Sequence, residues 1–179
     1  LNFRNGEILK IRPLSSADLE NRVGLAEREN VYEESYDISH SGPDEPSIPD
    51  ELLALLYLLL LDAEGLAAIQ SSQTYLPSRS KLATELVGQV LVRILKSKEK
   101  EYATTFEEDE KLLQDGSLSS RTVMAVQVRL GEKKMLRGAI HEAAMFTGSN
   151  KRMRNGKTSS EWKRKAEDSS NPKKRGRFN

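Results

Sequence analysis

Apolar residues in this chain recur mostly at helical spacing. Leu19, Val23 and Ala26 sit three or four residues apart behind Ser15, Ser16 and Asp18, a polar entry that predicts a helix start. Leu52 to Leu61 is an unbroken apolar run, with Ser47 and Asp50 reading as its capping pair and Gly65 as its end. That run is too short for a bilayer, which needs about 20 residues, so it predicts a helix buried on all sides of a helical core. From Arg79 to Ala103 the positions Leu82, Leu86, Val87, Val90, Leu91 and Ile94 form one stripe, predicting a single long amphipathic helix. A further helix opens at Ser119 and carries Val123, Val126, Leu130, Met135, Leu136 and Ile140. Gly131 inside it costs about 1 kcal/mol against alanine and is most simply explained by another backbone packing close.

Only one stretch reads as β. Gly6 to Leu14 (GEILKIRPL) predicts a short strand stopped by Pro13, with no partner evident in the sequence. Ser39 to Pro49 reads as a loop, and the periodic pattern ends near Phe146. The expected architecture is an all-α lobe over residues 16–146. A junction strand over residues 1–15 would be left from a preceding domain, and residues 147–179 would form a disordered basic tail.

The densest charge lies in EYATTFEEDEKLLQDG, where Glu107, Glu108, Asp109 and Glu110 are consecutive. Consecutive helical residues point about 100° apart and cannot converge on one ion, nor do they flank a substrate as a catalytic carboxylate pair must. Thr105 with Glu108, or Thr104 with Glu107, has capping-box spacing. The run therefore predicts a helix start, with Leu112 and Leu113 as its buried face and Gly116 as its stop.

Composition narrows the chemistry. The 179 residues contain no cysteine, and His40 and His141 stand far apart. Thiolate metal sites, disulfides and thiol nucleophiles are absent, and a histidine-based triad or zinc site is not expected. Charged residues make up 31% of the chain and apolar residues 37%, consistent with a soluble protein that is partly unfolded. The chain opens on Leu1 with no signal-peptide pattern, which predicts a fragment or an incomplete start.

Residue order adds what composition cannot. Tyr102, Thr104, Thr105, Asp109, Leu112 and Leu113, then Leu118, Ser119 and Arg121, then Ala125, Val126, Val128, Arg129, Gly131, Glu132, Lys133 and Lys134 form a specific series. It resembles the C-terminal substrate-binding domain of SET-domain lysine methyltransferases of the Rubisco large-subunit methyltransferase type. The resemblance plausibly spans Ser16 to Ala144. It implies a helical lobe that docks a protein substrate beside a catalytic domain, with S-adenosylmethionine as the methyl donor of the parent enzyme. A basic tail resembles the fungal ribosomal-protein or nuclear subgroup. The family's Asn-His cofactor signature occurs nowhere in this chain, so no catalytic, cofactor or metal residue is assigned to it, and the chain alone is expected to be inactive. Arg129, Glu132 and Lys133 are candidates for substrate contact. Their alternative role is bracing, through pairs within the helix or with the acidic turn.

Net charge is divided unevenly. Residues 151–179 hold 11 basic and 3 acidic side chains, net +8, while the remainder holds 17 basic and 24 acidic, net −7. Lys163, Arg164 and Lys165, followed by Lys173, Lys174, Arg175 and Arg177, resemble a bipartite nuclear import signal, implying an importin partner and a nuclear location. RNA contact through phosphate neutralisation, aided by stacking on Trp162, is the competing use, and a solubilising tail is a third. The whole is expected to be monomeric with no membrane contact. The alternative to a methyltransferase lobe is a non-enzymatic helical adaptor with a nucleic-acid-binding tail.

Overall fold

A computed structural model describes residues 1–39, 45–71 and 76–148. All but the first two residues of the expected disordered tail, together with the import clusters, Trp162 and His40, lie outside the described residues. Among those described, helices dominate and one small sheet stands at the N-terminal end. Strand β1 (Asn2–Arg4) leads into a one-turn helix α1 (Asn5–Ile8), and α2 follows at Ser16–Arg28. Strand β2 (Ser35–Asp37) returns to β1, antiparallel, with Phe3 opposite Tyr36. Both of these rings are buried, so the two-stranded sheet closes one end of the core.

The expected strand from Gly6 to Leu14 is therefore corrected. Its first part is helix α1 and the rest is turns, while the strand lies earlier in the chain and finds its partner within it. Ile8 is fully buried, whereas Leu9, Ile11 and Leu14 only lean on the core. The β-propensity of such a segment reports that its side chains fit a half-buried surface, not that a ladder is available.

Helix α2 begins as expected, with Ser15 accepting from the Asp18 N–H at 3.1 Å. Helix α3 (Asp50–Leu60) forms the centre of the core: Leu52, Leu53, Ala54, Leu55, Leu56, Leu58 and Leu59 are all buried. Its ends differ from expectation. Pro49 occupies the N-cap with no side-chain bond, and Asp50 instead pairs with Arg79. The helix stops at Leu60 rather than near Gly65, because two arginines take its last carbonyls. Arg22 donates to the Leu58 oxygen, and Arg12 donates to those of Leu60 and Leu61 at 3.3 Å each. Asp62 then accepts from the Gly65 N–H at 2.7 Å and starts α4 (Ala63–Ser71).

The long helix expected from Arg79 is two helices, α5 (Arg79–Leu82) and α6 (Glu85–Glu99). Thr84 breaks it by capping α6, its hydroxyl accepting from the Val87 N–H at 3.3 Å. The break rotates the stripe: Val87, Val90, Leu91 and Leu95 are buried, while Leu86 is 49% exposed. Helices α7 (Phe106–Gln114) and α8 (Ser120–Phe146) complete the chain. Ser119 caps α8 as expected.

Helix α6 packs along the C-terminal half of α8, and Gly88 lies against its last turns. A Cβ placed on Gly88 would stand 2.7 Å from the Ala143 carbonyl oxygen and 2.8 Å from Phe146 Cβ. The close backbone expected at Gly131 is absent, since nothing lies within 4 Å of where its Cβ would be. The glycine that lets two helices meet is on α6, not α8.

Candidate functional site

The acidic run sits where α7 meets α8. Thr105 caps α7 through its hydroxyl, which accepts from the Glu108 N–H at 3.1 Å, and the Glu108 carboxylate accepts from the Thr105 N–H at 2.7 Å. The Thr105 register is the one used. This reciprocal box fixes the first turn and aims Asp109 at α8. Glu107 and Glu108 stay on the solvent side.

Asp109 has no solvent exposure at all. Its carboxylate accepts from the Thr104 hydroxyl at 2.8 Å, the Arg129 Nε at 2.8 Å and the Lys133 Nζ at 2.6 Å. The Arg129 guanidinium grips it with a second N–H as well, making the pair bidentate. Lys133 is 1% exposed and also donates to the carbonyls of Thr104 at 2.5 Å and Thr105 at 3.1 Å. Arg129 and Lys133 reach the same carboxylate because residues four apart lie on one helix face. The Arg129 guanidinium, helped by Lys133 and Thr104, holds the Asp109 carboxyl well below the usual carboxylate range despite its burial.

Around this joint lies a second layer. The Tyr102 hydroxyl donates to Glu132 at 2.9 Å, and the Lys133 ammonium lies 5.3 Å from the Tyr102 ring centre. Burial, with the Glu132 carboxylate beside it, pushes the Tyr102 phenol up to about 12. Arg137 lies 4.3 Å over the Phe106 ring and bonds Glu107 at 2.8 Å, with Glu99 at 3.5 Å. A cleft of about 480 Å³ opens beside these groups, lined by Glu99, Lys100, Tyr102, Phe106, Glu107 and Arg137 among others.

Chemically this is a joint rather than a reaction centre. A carboxylate held ionised by several donors is a poor base, and an ammonium whose protons are committed to buried acceptors is not a free nucleophile. The structure brings the three candidates together here: Arg129 and Lys133 grip Asp109, and Glu132 is held by Tyr102. The expectation that Leu112 and Leu113 form the buried face of α7 is corrected. Leu112 is 37% exposed, Leu113 is half-buried, and the buried residue of α7 is Asp109. The bracing role offered for Arg129, a pair with the acidic turn, is the one the structure shows, with Asp109 as the partner. What the sequence did not reveal is that Asp109 is buried, because a charged residue in an acidic run normally faces solvent. The signal that could have found it was the Arg129 and Lys133 pair four apart on an otherwise apolar stripe. A second joint, missed in sequence, is Arg79, which pairs with both Asp50 and Glu142 and so ties α3, α5 and α8 together. Among the described residues no group of three or more His, Asp or Glu could hold a metal ion. No described helix is long and apolar enough to cross a membrane.

The class this defines is an all-α module whose internal charges lock helices together. Residues 13–136 match the Rubisco LSMT substrate-binding family, and the chain belongs to that family. It is 35% identical over 124 residues to the ribulose-1,5 bisphosphate carboxylase/oxygenase large subunit N-methyltransferase of Nicotiana tabacum, covering 65% of this chain and 24% of the relative. It is 34% identical over 142 residues to the fructose-bisphosphate aldolase-lysine N-methyltransferase of Arabidopsis thaliana, covering 74% and 28%. Over a shorter span of 46 residues it is 50% identical to the actin-histidine N-methyltransferase of Rattus norvegicus, covering 26% of this chain and 8% of that protein. The chain spans about a quarter of the length of the first two relatives.

Proposed function

We propose that this chain is the substrate-recognition domain of a protein side-chain N-methyltransferase. The observation that carries this is the family match over residues 13–136, the same stretch that folds around α3 and the α7–α8 joint. Lysine is the favoured acceptor: the relative named for lysine aligns over 142 residues, the one named for histidine over 46. The domain's role is positional. Rigid placement of a protein substrate converts an encounter into a near-intramolecular transfer, an effect worth several powers of ten. Internal bracing of the kind built around Asp109 suits such a platform.

The methyl donor in this reading is S-adenosylmethionine. A cleft of about 550 Å³ mixes charged Glu7, Lys10 and Arg93 with apolar Phe3, Ile11 and Ile94. Arg93 is committed there to the Ile11 carbonyl and Lys98 to Glu101, and the chain carries no Asn-His pair of the kind the family's cofactor pocket uses. In this reading the donor and the catalytic groups belong to a SET-type domain of the same enzyme. The substrate we favour is a ribosomal protein.

In the full-length enzyme, excising residues 16–146 is expected to lower turnover of an intact protein substrate by about a hundredfold or more. Calorimetric binding of S-adenosylmethionine should persist. Unchanged turnover of the intact substrate would remove the recognition role.

The basic clusters support a nuclear enzyme delivered by an importin, with RNA contact as the competing use of the same charges. A fluorescent reporter carrying residues 147–179 is expected to accumulate in nuclei. Alanine at Lys163, Arg164, Lys165, Lys173, Lys174, Arg175 and Arg177 should disperse it. A reporter that never enters nuclei, yet binds RNA in low salt, would reassign the tail to RNA.

A further inference from the structure

Helix α8 has two faces, and only one is used along its first half. Val126, Leu130 and Lys133 are buried, with Lys133 and its neighbour Arg129 held by α7. On the opposite side Met124 is 67% exposed and Val128 is 65% exposed. With Gly131 and Met135 they fall at successive spacings of four, three and four residues, the repeat of a helix-packing seam. Continued toward the C-terminus, the same lane runs through Gly138 and Glu142. There the protein covers it with its own chain: the Ser47 N–H donates to Glu142 at 2.7 Å, and the Ser47 hydroxyl oxygen stands 3.8 Å from where a Gly138 Cβ would be. The lane is thus an interface that the described chain fills at one end and leaves open at the other.

The open part has the features of a helix-docking surface. Two large apolar side chains lie in solvent one turn apart. Nothing approaches within 4 Å of the Gly131 Cβ position, so the backbone there is bare on a face where a glycine otherwise only weakens the helix. Methionine at both ends gives an adaptable contact. Its charge is net positive. Arg121 and Lys134 are exposed, and neither has an ion pair among the described residues. Glu132 is already held by Tyr102.

The other face of α8 shows what such a helix accepts. There it receives α7, an acidic helix, whose Asp109 meets Arg129 and Lys133 and whose Glu107 meets Arg137. We propose that the outer face of α8, from Arg121 to Met135, docks an acidic amphipathic helix of a partner protein. That helix would pack its apolar stripe along Met124, Val128 and Met135, bring its backbone over Gly131, and set carboxylates against Arg121 and Lys134. The surface lies opposite the α7 joint and does not depend on the methyltransferase reading.

The test uses the 179-residue chain and two fluorescein-labelled synthetic helices of three heptads, with leucine on the seam and either glutamate or lysine beside it. Fluorescence anisotropy should show the acidic helix binding roughly tenfold or more tighter than the basic one. Met124→Glu with Val128→Glu should weaken it by about tenfold or more. Both positions are solvent-exposed, so folding is kept. Gly131→Leu should weaken it equally while leaving the melting temperature unchanged or raised, which separates docking from stability. Two results would overturn the proposal: equal binding of both helices, or full binding by Gly131→Leu. So would sedimentation showing a dimer that Met124→Glu and Val128→Glu convert to monomer, because the occupant would then be a second copy of this chain.

Discussion

Asp109→Ala is expected to cost about 3–5 kcal/mol, the range seen when one partner of a buried ion pair is removed. The cost falls on Lys133 more than on Asp109 itself. Lys133 is 1% exposed, and its remaining acceptors, the Thr104 oxygens and the Thr105 carbonyl, carry no formal charge. Arg129 is 31% exposed and can turn to water. A domain of this size is typically stable by only about 5–15 kcal/mol, so urea unfolding of this variant should begin at markedly lower concentration. Adding Lys133→Met removes the stranded charge and should recover most of the loss, since well-packed apolar replacements of buried pairs are often neutral. If Asp109→Ala alone unfolds like the parent chain, the joint is not holding α7 to α8.

The same joint sets an acid limit. Asp109 has a depressed pKa in the folded state, chiefly through Arg129, against about 3.9 for an unfolded aspartate. Its contribution is therefore fully present above pH about 4 and is lost as pH falls toward the native value. The Asp109→Ala, Lys133→Met double variant should show a flatter loss of stability below pH about 4 than the parent chain.

Gly88→Leu is expected to be the second most damaging change. The new side chain would start 2.7 Å from a backbone oxygen of α8, a group with no rotamer to move. Overpacking of this kind costs about 1–3 kcal/mol and sometimes more, and with rigid backbone as the clashing group its upper range applies, which exceeds the helix-propensity gain of about 1 kcal/mol. Gly131→Ala is the control with opposite sign. It sits in a helix with open space around it and should stabilise by about 0.5–1 kcal/mol. Thermal melts of the two variants beside the parent chain decide the matter. Two shifts of the same sign would show that these glycines do not differ as their surroundings require.

Much of this protein was legible in one dimension. The apolar run around Leu55, the Ser15 and Ser119 caps, the Thr105 box and the family series from Tyr102 to Lys134 are all local patterns. Each depends on residues within a few positions of one another, and that is why sequence alone specified them. Sequence also excluded thiol chemistry, since there is no cysteine to perform it. What it missed depends on residues far apart along the chain. Nothing in GEILKIRPL reveals that Phe3 will face Tyr36, or that Arg12 and Arg22 will end α3. The sequence pointed to Gly131 and gave no reason to single out Gly88, because a close approach belongs to a pair of helices and not to either one. The burial of Asp109 is the sharpest case, although a brace between Arg129 and the acidic turn was foreseen. Beside three other acids Asp109 reads as solvated, and an isolated buried carboxylate would be prohibitively costly. Only the fold brings Thr104, Arg129 and Lys133 to it at once, and without that set of donors the residue could not be inside.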